Sequence, residues 1–256
     1  MADASPPSMI LELRRLASRA GMIILQHYGS AVARRKDDSS PVTIADEEAE
    51  RAIIEDLTAL DPGIPIVAEE TVARGAGPVI VGRRFWLVDP LDGTKEFLSR
   101  NGEFTVNVAL IEDGLPTLGI VLAPALRVAY FSDGGRAWRA EGDGPAHPIR
   151  ARAAPATGRV AAVSRSHLDA ATEQFLARHG IRESRPAGSA LKFGLLAAGE
   201  ADVYPRFGRT MEWDTAAGHA VLRAAGGSVR DLDGRELRYG KPGFANPSFI
   251  ARGRDA

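Results

Sequence analysis

Cysteine is absent from all 256 residues, which excludes disulfides, thiolate metal sites and a cysteine nucleophile and fits a reducing interior. Long apolar runs are missing too. None approaches the ~18 residues of a membrane span, and Met1 to Ser8 lacks the basic-then-apolar order of a secretory signal. A formal net charge of −1 leaves no global positive field to draw in nucleic acid or an anionic membrane, so an anionic ligand must be held locally. His27, His147, His167, His179 and His219 show neither HxH nor HExxH spacing, and no GxSxG occurs. Repeats and low-complexity tracts are also lacking. What remains is ordinary globular composition, 45% hydrophobic and 25% charged, enough for one large domain or two lobes sharing a core. The expected location is the cytoplasm, with peripheral attachment to the inner membrane left open.

Apolar residues at Ile10, Leu13, Leu16, Ala17, Ala20, Ile24 and Leu25 predict an amphipathic helix from Met9 to Tyr28, preceded by a flexible N-terminus over residues 1–8. Thr43-Ile44-Ala45-Asp46 has capping-box spacing, and the helix continues to Leu60. Strands are expected at Ile64 to Ala68, ending at Glu69-Glu70, and at Phe85 to Val88 after a Gly-rich loop. Four more follow at Phe104 to Ile111, Thr117 to Ala123, Val128 to Ser132 and Ala137 to Ala140, as in an antiparallel meander. Gly, Pro and Ala crowd Glu141 to Gly158, which places a lobe boundary near residue 150. An N-terminal α+β lobe thus spans residues 9–150, and a C-terminal α/β lobe spans 151–256. The second lobe reads as strand Val160 to Ser164, helix Leu168 to His179, helix Ser189 to Ala198, strand Ala201 to Tyr204 and helix Asp214 to Ala225.

Chemistry concentrates in Asp89-Pro90-Leu91-Asp92-Gly93-Thr94, where a strand runs into two carboxylates, a glycine and a hydroxyl. Asp89, Asp92 and the Leu91 carbonyl offer the hard oxygens that Mg²⁺ prefers, and Gly93 lets backbone N–H groups approach a phosphate. Asp-Pro and Asp-Gly are also common turn dipeptides. Asp46, Glu69 and Asp214 similarly stand where an element begins or ends. Each has a plainer reading: Asp46 as part of a cap, Glu69 as a solvated charge, Asp214 as the N-cap of a helix starting at Thr215. Together they point elsewhere, because carboxylates gathered at converging strand ends repel one another unless cations neutralise them. Divalent ions are the economical explanation. Thr94 and Asp46 are placed to position a water and take its proton, although Thr94 equally suits the cap of a helix from Lys95 to Leu98.

These segments together resemble the Mg²⁺-dependent, lithium-sensitive phosphatases of the inositol monophosphatase superfamily. Asp89 to Thr94 matches the family's Asp-Pro-(Ile/Leu)-Asp-Gly-Thr, Trp213 to Gly218 its Trp-Asp-x-x-Ala-Gly, and Glu69-Glu70 its upstream acidic pair. The likeness runs from about Lys36 to Pro247. It implies an α/β (α+β) fold, a layered αβαβα sandwich in two lobes. It also implies two or three Mg²⁺ ions on Glu69, Asp89, Leu91, Asp92 and Asp214, with Asp46, Thr94 and Glu69 in catalysis and Li⁺ as inhibitor. Related phosphatases are often dimers.

Finer features resemble the bacterial 3′(2′),5′-bisphosphate nucleotidase branch: Lys36 to Thr43, Lys95-Glu96-Phe97, Asn101 to Asn107, Ser164 to His167, Gly188 to Phe193 and Tyr204 to Arg206. That branch acts in sulfate assimilation on adenosine 3′,5′-bisphosphate, yielding AMP, and on its sulfated form. Glu69, Leu91, Asp92, Gly93, Thr94 and Asp214 would face one phosphate. Lys192, Arg206, Arg165 and Arg209 are candidate cations for the other, and Ser164 and Ser189 are candidates for the sugar or for helix caps. Rival readings are an inositol monophosphatase or fructose-1,6-bisphosphatase of the same fold, or a non-catalytic nucleotide or metal sensor.

Overall fold

The structure, a computed structural model, describes residues 8–30, 34–35, 41–77, 82–166 and 168–254. Residues 1–7, Lys36 to Ser40 and His167 therefore lie outside the described residues, and Ser8 already belongs to the first helix.

The period near 3.6 folds as α1 (Ser8–His27), which buries Ile10, Leu13, Leu16, Ala17, Ala20 and Ile24. A short antiparallel pair, β1 (Arg34–Arg35) and β2 (Pro41–Val42), leads into α2 (Ile44–Leu60). The expected reciprocal cap is present there: Thr43 Oγ1 accepts from the Ala45 N–H, and Asp46 accepts from the Thr43 N–H. Next come β3 (Ile66–Ala68) and α3 (Glu69–Ala73), a helix where the sequence reads as a strand end and loop. Five residues are too few to show periodicity. The remaining elements of the first half are β4 (Arg84–Asp92), α4 (Thr94–Leu98), β5 (Thr105–Glu112), β6 (Leu115–Ala123), β7 (Val128–Ser132), β8 (Ala137–Glu141) and β9 (His147–Ile149). They build a sheet in sequential order from β3 to β9, antiparallel except for the β3–β4 pair.

The chain changes sheets between Ile149 and Val160. Its second half runs β10 (Val160–Ser164), α5 (Ala170–Arg178), β11 (Glu183–Ala187), α6 (Leu191–Ala197), β12 (Val203–Arg206), α7 (Glu212–Ala224), β13 (Ser228–Asp231) and β14 (Phe249–Arg252). The sheet order is β11-β10-β12-β14-β13, with the first three strands parallel.

Three cores among the described residues show how the layers stack. One joins α1 and α2 to one face of the large sheet through Leu13, Ile53, Trp86 and Val88. A second fills the space between the two sheets, packing Phe85 and Leu87 with Phe193 of α6 and Ala216 and Val221 of α7. The third seats Phe175 of α5 on Ala161, Val163 and Val203. Alternate residues from Phe85 to Val88 of β4 thus enter different cores, so this stretch of the strand is apolar without a break rather than half polar. The order of layers is αβαβα, as the resemblance implied.

The middle layer leaves no slack. A Cβ on Gly218 of α7 would stand 2.3 Å from Phe193 Cδ2 on α6. Gly218→Ala is therefore expected to destabilise the protein by about 1–3 kcal/mol, overpacking outweighing the roughly 1 kcal/mol gained in helix propensity. Urea unfolding tests this, and an unchanged or higher midpoint would refute the tight packing.

Candidate active site

Parallel pairing aligns Ala68 with Val88, and Glu69 and Asp89 are the residues that follow this last pair, Glu69 opening α3 and Asp89 continuing β4. β4 then continues through Pro90 to Asp92. Asp89 pairs with Asn107 and Asp92 with Thr105, so three steps on β4 oppose two on β5: a bulge. Asp89 is buried and its Oδ1 accepts from the Leu91 N–H at 3.0 Å, while the Leu91 side chain turns into the α1–α2 core. Asp92 Oδ2 receives Asn107 Nδ2 at 3.3 Å and Thr105 Oγ1 at 3.5 Å.

Gly93 follows at φ +91°, a left-handed conformation that glycine adopts without strain, and it starts α4 without a side-chain cap. A Cβ here would lie 2.1 Å from Ser189 Oγ, so the turn also requires glycine sterically. Thr94 is the first helical residue rather than a cap. Its hydroxyl points at Asp46 Oδ1, 3.5 Å away, while Asp46 Oδ2 accepts from the Thr43 N–H at 2.8 Å and the Thr43 hydroxyl at 2.7 Å. The two readings of Asp46 are therefore compatible, one oxygen serving each. Asp214 is not the N-cap expected. The helix starts earlier, at Glu212, and Asp214 occupies the third position, accepting from the Met211 N–H at 2.8 Å.

Glu69, Asp92, Gly93, Thr94 and Asp214 line one cavity of about 280 Å³ together with Ser164, Ser189, Lys192 and Arg206. Asp46, Asp89 and Leu91 are buried and do not line it. Burial pushes the Asp92 carboxyl up to about 6 against the pull of Lys192 and the Asn107 hydrogen bond, with Glu96 and Glu69 adding to the rise. Burial, then Asp92 and Glu69, hold Asp214 well above the ordinary carboxylate range. The acids thus disfavour one another's charge. Among the described residues no three Asp, Glu or His side chains are gathered closely enough to hold a metal ion as they stand. The donor set nevertheless fits a hard divalent cation: carboxylate oxygens, no competing sulfur or imidazole, and mutual repulsion that a cation would relieve.

The opposite wall is more committed than its sequence implies. Lys192 is buried and donates to the carbonyls of Ala187 at 3.1 Å and Ser189 at 2.6 Å; burial brings its ammonium down to about 8 despite Asp92 nearby. Ser189 caps no helix: it sits at φ +49°, its hydroxyl 2.8 Å from the carbonyl oxygens of both Asp92 and Glu103. Ser164 ends β10 at the cavity edge. Arg206 Nη2 donates to the Arg209 carbonyl at 3.2 Å. Arg165 lies outside this lining, its fork closed on Glu103 at 2.6 and 2.7 Å.

Lining residues without an assigned role in the sequence reading include Glu96, Tyr204, Thr210 and Thr215. Thr105 and Asn107, which hold Asp92, left a trace: polar residues at alternate positions at the start of an otherwise apolar strand.

The inositol monophosphatase family model matches residues 7–254. The chain belongs to the inositol monophosphatase family. This family member is 46% identical over 249 residues to the 3′(2′),5′-bisphosphate nucleotidase CysQ of Salmonella typhimurium, covering 94% of this chain and 98% of the relative. It is 45% identical over 245 residues to the protein of the same name from Escherichia coli K12, again covering 94% and 98%. Among solved structures, CysQ from Bacteroides thetaiotaomicron, a bacterial inositol monophosphatase family member, matches with a TM-score of 0.81 at 38% identity, covering 97% of this chain and 98% of that one. No described helix is long and apolar enough to cross a membrane.

Proposed function

We propose that this chain is a Mg²⁺-dependent 3′(2′),5′-bisphosphate nucleotidase that removes the 3′-phosphate of adenosine 3′,5′-bisphosphate, giving AMP and phosphate, and that also takes the sulfated nucleotide. The observation that carries this reading is one cavity lined both by Glu69, Asp92 and Asp214 and by Lys192 and Arg206. A monophosphate ester needs only the carboxylate side once cations neutralise it; the added lysine and arginine suit a second phosphate. The high identity to proteins named for this activity supports the same substrate class.

Phosphatases of the family depend on Mg²⁺. Here Glu69, Asp89, the Leu91 carbonyl, Asp92 and Asp214 would hold the ions, which when bound supply a water of lowered pKa and charge neutralisation at the phosphate. The residues around them handle position and protons. Thr94 donates to Asp46 Oδ1, which leaves the lone pairs of its own oxygen to accept a proton from a water in the cavity while its hydrogen passes toward Asp46. Asp46 cannot swing away, because its second oxygen is fixed by two donors from Thr43. Gly93 brings backbone N–H groups to the cavity wall, and the Ser189 hydroxyl ties that turn to the second half of the chain.

The test is phosphate release from adenosine 3′,5′-bisphosphate, inositol 1-phosphate and fructose 1,6-bisphosphate with Mg²⁺, repeated with added Li⁺. The nucleotide is expected to turn over fastest, and Li⁺ to inhibit. Comparable or faster release from inositol 1-phosphate would overturn the assignment.

A further inference from the structure

We infer that Glu50 is a positioning residue for Glu69, acting through α3. Glu50 lies one helical turn beyond Asp46 on α2, so the two carboxylates leave the same face of that helix. It lines no part of the cavity above. Its side chain is 1% exposed, and its three hydrogen bonds among the described residues all go to one short segment. Oε2 accepts from the Glu70 N–H at 2.6 Å, and Oε1 accepts from the Thr71 hydroxyl at 2.7 Å and from Arg74 Nη2 at 3.0 Å.

The sequence of α3 explains why that acceptor comes from elsewhere. Its N-cap position is Ala68, which has no side-chain oxygen, so the first amides of the helix lack the usual local partner. Glu50 supplies the cap from a different helix. A buried carboxylate is costly unless donors surround it, and here every donor belongs to α3 or its C-terminal residue. α3 therefore cannot rotate or slide along β3 without leaving the Glu50 charge unpaired. Glu69 precedes the anchored Glu70 and Thr71 directly, so its direction is set by the same bonds. One face of α2 thus fixes two parts of the site one turn apart: Asp46 meets Thr94, and Glu50 orients the helix that begins with Glu69.

This inference rests on Glu69 being a metal ligand, and the experiment separates the two. Mg²⁺ binding to the full-length protein is measured by calorimetry, with the Mg²⁺ dependence of turnover alongside. Glu50→Ala is expected to raise the Mg²⁺ dissociation constant roughly tenfold, as for loss of other groups that orient a ligand, and Glu50→Gln, which keeps one acceptor, by less. Arg74→Ala removes only the half-exposed partner and should change affinity by no more than about twofold. Wild-type affinity in both Glu50 variants, with weakened binding in Glu69→Gln, would overturn the positioning role alone. Normal binding in Glu69→Gln would overturn the ligand reading itself. If Glu50→Ala does not fold, Glu50→Gln carries the comparison.

Discussion

Replacing Asp92 by asparagine is expected to lower turnover by roughly 10³-fold, about 4 kcal/mol of transition-state stabilisation, while making the Mg²⁺-free protein more stable. The opposed effects follow from one position. Asp92 carries a charge beside Glu69 and Asp214, and each raises the energy of the others in a buried setting. Asparagine has the same shape and keeps an acceptor for Asn107 and Thr105, so little packing is lost. Removing the charge relieves first the cost of burying it and then the repulsion from Glu96 and Glu69, less the lost attraction of Lys192, a net gain of about 1–3 kcal/mol on the scale of such shifts. On the proposed ligand set Mg²⁺ would then lose a ligand, so it should no longer raise the melting temperature, as it is expected to for the wild type. Near-normal turnover in Asp92→Asn at modest Mg²⁺ would sink the metal assignment. A lower melting temperature without Mg²⁺ would sink the electrostatic account.

The part of the site at the end of β4 was legible because Asp89 to Thr94 are contiguous and ordered, acid, acid, glycine, hydroxyl after a strand, and Asp92, Gly93 and Thr94 do share one cavity with the distant Glu69 and Asp214. Its geometry was less so. The strand was expected to end at Val88, since proline lacks a ladder donor and Asp-Pro favours a turn. β4 continues to Asp92 because Pro90 falls within the bulge, where the ladder is already interrupted. Short strands at sheet edges were missed for a different reason. β11 exposes its first four residues, Glu183 to Pro186, so no apolar alternation marks it, and β9 has no buried residue at all. Asp214 takes the third position because α7 starts at Glu212, a buried carboxylate that accepts from the amides of Gly240 and Lys241 far along the chain. Nothing local predicts that start.

Arg165 shows the limit for charges. A basic residue in a motif resembling a phosphate-binding branch suggested an anion contact, but its partner, Glu103, lies 62 positions away. Burial would raise the Glu103 carboxyl, yet the Arg165 fork and the Gly188 N–H outweigh this and hold it below the usual range. The pair instead fixes the 188–189 turn, whose Ser189 carbonyl and hydroxyl meet Lys192 and Asp92. Arg165 therefore bears on the site through the backbone and not by direct contact.

His219 should take stability away as pH drops from about 6.5, a slope of one proton that works against the raised Asp92 and Asp214 carboxyls, which take up protons in the native state before they do in the unfolded chain. The ring is fully buried on α7, with Nδ1 3.0 Å from the Tyr239 hydroxyl and Nε2 without a hydrogen-bond partner among the described residues. Burial, with Arg223 nearby, brings its pKa down to about 3. Glu236 stands 3.8 Å from Nε2, beyond hydrogen-bond range and partly exposed, so its attraction does not offset the lost hydration. The native pKa lies below that of an unfolded histidine, about 6.5. Between those values the unfolded chain binds a proton that the native state refuses, so stability is lost as pH falls through the window and is fully present above it. At pH 4.5 the loss is about 2 pH units, or ~2.7 kcal/mol. His219→Gln should lower stability at pH 7 yet remove one proton from the slope between pH 6.5 and 4.5. Urea titrations of both proteins across that range measure it, and parallel slopes would show that His219 is not buried neutral.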